Sequence, residues 1–239
     1  MATGPDRRYL SRSQADAATT DVGLRSYMLR VYNYMCVALA VSGAMAFYVS
    51  TSPTLQQAIF GTPLKWVVFL APLGLVFFLS ARIHKMSATA AQTTFWVFAA
   101  LMGMSLASIF IAYTPESITR VFFITAGAFA GLSLVGYTTK KDLSGMGTFL
   151  FMGVIGLIIA MVVNMFLGSS MLQLGISVIG VLIFAGLTAY DTQKIKLMYY
   201  EADGAEVAAK KSIMGALKLY LDFLNMFIFL MHILGVARN

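Results

Sequence analysis

Apolar residues run along this chain in long blocks rather than at alternate or every third or fourth position. Six blocks lie near 28–50, 64–82, 92–113, 117–138, 147–168 and 171–192, and a more mixed seventh lies near 212–235. Each is long enough for the roughly 20 residues that cross a bilayer's hydrocarbon core as a helix. The breaks carry turn chemistry or charge, such as Thr114-Pro115-Glu116 and Gly168-Ser169-Ser170, and the longest spans about 193–211. The pattern predicts an all-α polytopic membrane protein with seven spanning helices. Residues 1–26 are polar and read as a flexible tail ahead of a membrane domain over 27–239. No apolar core of signal-peptide length is visible in that polar stretch.

Composition sharpens this picture. Of 239 residues, 59% are hydrophobic and 11% charged, against about 25% charged in soluble domains. The balance disfavours a cytosolic enzyme or a secreted disulfide scaffold. A net charge of +7 invites a nucleic-acid reading, but the cations are scattered between apolar runs rather than clustered on one face. Counted by alternate sides of the membrane, fourteen Lys and Arg fall on the tail side, leaving Lys65, Arg120 and Arg238 opposite. The positive-inside rule then puts the N-terminus in the cytoplasm and, after seven spans, the C-terminus outside.

Small residues recur within the spans, among them Gly127 and Gly131 of a GxxxG, then Gly153, Gly156, Gly175, Gly180 and Gly186. They allow close helix approach, either inside one copy or between two. Pro72 inside the second span predicts a kink. The single cysteine, Cys36, reads as a packed apolar residue. His84 and His232 fall near opposite faces and cannot share a metal. No cofactor-binding motif is present, so none is expected.

Two acids stand out. Eight of ten lie in the tail, loops or interfaces, whereas Asp191 and Asp222 sit within apolar helical sequence. An aspartate in mid-span costs about 2.5–3.5 kcal/mol on insertion scales and normally faces the bundle interior or water. Consecutive antiparallel helices bring the two to similar depth. In one reading each takes a helix-surface partner, Asp191 with Lys194 and Asp222 with Lys218. In the other the carboxyls face each other, share a proton and titrate as a unit. Such a pair holds a cation when ionised and closes on itself when protonated.

Three stretches carry a family resemblance: Gly131-Leu-Ser-Leu-Val-Gly-Tyr-Thr-Thr-Lys-Lys-Asp-Leu-Ser144, Ala189-Tyr-Asp-Thr-Gln-Lys-Ile-Lys196 and Leu219-Tyr-Leu-Asp-Phe-Leu-Asn-Met-Phe227. With them the chain resembles the bacterial branch of the Bax inhibitor-1 family over about 27–236. The resemblance implies a seven-helix fold in the inner membrane and a proton-sensitive calcium leak. Asp191 and Asp222 then correspond to its paired-aspartate pH sensor and cation site. A gating latch is implied at Arg82, or at Lys85 if the loop carries an insertion. The second span, Leu64 to Ser80, lacks the acid that some calcium-leaking members have there, and His232 stands where several have Arg. Implied partners are membrane lipid, calcium and protons. An alternative is modulation of a membrane-bound ATP-dependent protease through protein contacts. An intramembrane aspartyl protease would need Gly-x-Gly-Asp and a later Pro-Ala-Leu, and Asp222 follows Leu219-Tyr220-Leu221 instead.

Overall fold

The computed structural model describes residues 6–238, with side chains from Val22 onward. Eight α-helices follow in order: α1 (Asp6–Thr51), α2 (Pro53–Phe60), α3 (Leu64–Arg82), α4 (Ala88–Ala112), α5 (Pro115–Thr138), α6 (Ser144–Leu167), α7 (Ser170–Leu197) and α8 (Ala205–Leu234). All but α2 are long and apolar enough to span a membrane. The seven expected spans are thus present, and the segment expected as a tail is helical from Asp6 into α1. The end from which α1 starts is called the near end below, and the opposite end the far end.

Two elements differ from the pattern reading. The first break contains α2, started by Ser52, whose hydroxyl accepts from the Leu55 N–H (3.4 Å), and by Pro53 at the first helical position. Proline suits that place because its missing N–H would have no helical partner there. The longest break shrinks to 198–204, because the lysines flanking it sit within the ends of α7 and α8. Lys211 clamps the turn by holding Asp203 and donating to the Met198 carbonyl (3.0 Å).

Helix α8 occupies the centre. It packs on α1, α4, α5 and α7, while α3 packs on α4 and α6 on α7. In the most apolar stretch of α8, 67% of the residues are buried, against 11% in α6. An apolar face is no liability in lipid, so peripheral helices leave large side chains such as Phe149 and Phe166 outside. Cys36 is one of these outward residues rather than a packed one.

The glycines divide in the same way. A Cβ at Gly136 would stand 2.2 Å from the Ala189 carbonyl oxygen, so glycine there lets α5 touch α7 beside Asp191. Gly127 and Gly131 of the GxxxG have open space instead, as do Gly156 and Gly175, while Gly153, Gly180 and Gly186 meet side chains. Pro72 is buried within an unbroken α3.

Both ends are tied by polar contacts. At the far end the Thr114 N–H donates to the Val236 carbonyl and the Arg238 N–H to that of Ala112 (both 2.9 Å), holding the C-terminal segment on the α4–α5 turn. Asn164, Gln173 and His232 join α6, α7 and α8 there. At the near end Gln193 pairs with the α5–α6 loop like a strand edge. Its amide donates to the Lys141 carbonyl (2.8 Å) and accepts from the Leu143 N–H (2.9 Å).

Candidate functional site

Rotation of α8 about its axis decides what faces α7. Tyr220 is fully buried, its hydroxyl 2.6 Å from Ser42 Oγ, and Ser42 in turn donates to the Ala99 carbonyl (2.7 Å). That anchors one face of α8 to α1 and α4. Two residues on, about 200° around the helix, Asp222 points the other way, towards α7. Asp191 meets it there, and the two carboxyls interact side chain to side chain. Asp222 is 4% exposed, and its Oδ2 is buried without a hydrogen-bond partner.

The third member is Lys218, one turn before Asp222 on α8. Its Nζ lies 3.7 Å from Asp191 Oδ1, and its side chain is 46% exposed against 14% for Asp191. The local pairs expected within each helix are therefore replaced. Lys218 crosses to the other helix, and Lys194 turns to Ser144 Oγ (3.0 Å) and the Tyr190 ring. A residue three positions after Asp191 sits a turn nearer the end, where α6 begins and Ser144 waits.

The surrounding hydroxyls are committed elsewhere. Thr188 donates to the Phe184 carbonyl (2.8 Å) and Thr192 to that of Thr188 (2.7 Å). Thr192 also meets Ser133 Oγ (2.8 Å), which meets the Tyr32 hydroxyl (2.6 Å), linking α7 through α5 to α1. Asn225, one turn beyond Asp222, bonds back to the Leu221 carbonyl (2.8 Å). Two acids with one base therefore face each other in an apolar bundle, and few neutral groups are spare to solvate them.

Arg82 lies elsewhere. It ends α3, is exposed, and makes no ion pair among the described residues; the same holds for Lys85 in the following turn. The cation beside the aspartates is Lys218, which the sequence offered only as a local partner of Asp222. No group of three or more His, Cys, Asp or Glu suited to a metal occurs among the described residues. Calcium takes six to eight oxygens, and two aspartates supply at most four, so carbonyl or water oxygens must complete any shell here.

Comparison with known proteins agrees with this architecture. The family described as inhibitor of apoptosis-promoting Bax1 matches residues 24–239. The chain belongs to the Bax inhibitor family. An uncharacterised protein of Rickettsia prowazekii is 48% identical over 221 residues, covering 92% of this chain and 94% of the relative. The Escherichia coli K12 inner membrane protein YbhL is 45% identical over 219 residues, covering 90% and 94%. An uncharacterised membrane protein of Streptococcus pyogenes is 36% identical over 220 residues, covering 90% and 95%. Family membership and seven apolar helices make this a multi-pass membrane protein. The matched region takes in α2 through α8 and all but the start of α1, so it contains both aspartates and Lys218.

Proposed function

We propose that this Bax inhibitor family protein is a pH-sensitive calcium leak whose gate is the Asp191–Asp222 pair. The observation that carries the reading is the direct approach of two carboxyls on α7 and α8, with Asp222 buried and one of its oxygens unpartnered. Close carboxyls inside a low-dielectric bundle do not both ionise without a counter-charge, so they exchange protons as one unit. Ionised, they attract a divalent cation; sharing a proton, they satisfy one another and release it.

Lys218 sets the strength of that attraction. With both aspartates ionised and the lysine charged, the cluster has a net charge of −1. That favours brief occupancy by a largely hydrated cation, as a leak requires, over tight storage. Lys218 rather than Arg82 supplies the counter-charge in this conformation, and Arg82 would act as a latch only after α3 moves towards α7 and α8. The excess of Lys and Arg on the near side orients that end to the cytoplasm of a bacterial inner membrane.

The test is calcium flux into reporter-loaded liposomes at pH 6 and pH 8. Wild-type flux should differ between the two, and Asp191→Asn or Asp222→Asn should remove the difference. Unchanged flux and pH dependence in both variants would refute the sensor. No wild-type flux at either pH would favour the alternative of protein-partner modulation, including of a membrane-bound protease.

A further inference from the structure

A lipid-facing cleft runs between α1 and α5. The first packs on α4 and α8, the second on α7 and α8, and Phe223 of α8 forms the floor between them. The space measures about 640 Å³. Met28, Met35 and Leu39 line one wall, and Phe122, Phe129 and Leu134 the other. The polar groups on its floor, Tyr32 and Ser133, bond to each other (2.6 Å) and leave the interior apolar to an occupant.

Its ends are unlike. At the near end Arg25 is exposed on the rim and makes no ion pair among the described residues. Across from it, Tyr137 holds the Lys196 ammonium through its carbonyl (2.8 Å) and ring face (4.9 Å). Two cations therefore flank one mouth, and no charged residue lines the rest of the cleft.

Dimensions select the occupant. From Arg25 to Leu39 the cleft follows fourteen residues of helix, about 21 Å, against about 15 Å for the hydrocarbon of one leaflet. Spreading 640 Å³ over that length leaves a cross-section of about 30 Å². A helix 10–12 Å across has a section of about 80 Å² or more, so a partner helix or a second copy of this chain would rest across the open mouth rather than lie within the cleft. One extended hydrocarbon chain fits inside. Basic pockets at the membrane-surface ends of spanning helices favour anionic headgroups.

We propose that the α1–α5 cleft is a binding site for one anionic phospholipid, an acyl chain lying between the helices and the phosphate held at Arg25. The site is independent of whether calcium passes through the protein. One cation at the surface corresponds to about a fivefold preference for the anionic headgroup.

Vesicles of phosphatidylcholine, with or without phosphatidylglycerol, test this when either lipid carries a photoactivatable group on its acyl chain. Crosslinks mapped by mass spectrometry should concentrate for phosphatidylglycerol on residues 28–39 and 122–134, above those on α6, although α6 is the more exposed helix. Arg25→Gln should lower the glycerol-to-choline labelling ratio in the cleft about fivefold, and Ala130→Phe should empty the cleft of both. The native Cys36, which lines the cleft, gives a readout without substitution: its reaction with a membrane-soluble maleimide should slow in phosphatidylglycerol. Equal labelling of the cleft and α6 by both lipids, a ratio indifferent to Arg25→Gln, or a Cys36 rate indifferent to headgroup would each overturn the proposal.

Discussion

Two polar clusters sit on α7 and α8, and they settle their polar groups in opposite ways. At the far end the Ser169 N–H donates to Asn164 Oδ1 (3.0 Å), Asn164 Nδ2 to Gln173 Oε1 (3.1 Å), and Gln173 Nε2 reaches His232 Nδ1 (3.4 Å). A backbone N–H starts this chain, so its direction is fixed. Each amide gives and receives, and His232 must accept at Nδ1, carrying its proton on Nε2. Deeper in the bundle, Asp191, Asp222 and Lys218 carry unequal charge and leave Asp222 Oδ2 without a partner. A buried polar group left unsatisfied is rare enough in native structures to need a reason. Here the neutral cluster binds three helices together, and the charged one is left reactive towards a proton or a cation.

The contrast should break first at the far end. Asn164→Ala leaves the Ser169 N–H and Gln173 Oε1 without partners, and should destabilise the protein by about 2–3 kcal/mol, read as a lower thermal midpoint in detergent. A loss below about 0.5 kcal/mol would mean water satisfies that cluster and the contrast is false. Asp222→Asn should act in the other direction. It keeps the shape and removes a buried charge, so the midpoint should rise, by about 1 kcal/mol. A fall as large as that of Asn164→Ala would show the carboxyl to be fully settled.

Lys218→Met sharpens the comparison by separating stability from passage. The lysine is half-exposed, and exposed ion pairs contribute about 1 kcal/mol or less, so unfolding should change little. Calcium flux should rise severalfold as the competing cation leaves. Unchanged flux would remove Lys218 from the gate.

The smallest effect belongs to Asp142, in the α5–α6 loop. Its Oδ1 accepts from the Ser144 N–H at the start of α6 (2.9 Å), and hydrogen bonds from Ser144 hold the carboxyl below the ordinary carboxylate range. A lowered folded value stabilises above the unfolded value of about 3.9, and that contribution disappears as pH falls through the folded value. Thermal midpoints of wild type and Asp142→Asn should therefore differ slightly at pH 7 and converge in acid. A difference that grows in acid would contradict the assignment.

The same comparison explains what the sequence could and could not convey. The spans are legible because burying apolar runs in lipid needs no detailed pattern, and Asp191 and Asp222 are legible because acids inside such runs are costly. Lys218 was not, because a lysine four residues before an aspartate reads the same whether it pairs within its helix or across to the next. Only the rotation of α8, set by Tyr220 against Ser42, separates the two. Gln193 was equally silent: its partners are backbone groups fifty residues away. Helix α2 did have a signal in Ser52-Pro53, but eight residues give too short an apolar pattern to mark it. The GxxxG at Gly127 is not used for packing within this chain, where both glycines have open space, since small residues permit close packing and do not require it.

The claim that matters most is that Asp191 and Asp222 act as one unit. Calcium flux across pH 6 to 8 should be measured for wild type, each Asn variant and the Asp191→Asn/Asp222→Asn double variant. If the pair is a single proton-sharing gate, either substitution alone removes the pH dependence and the double variant behaves like the singles. If each single variant keeps half of the dependence and the two losses add, the aspartates titrate separately and the paired gate is wrong.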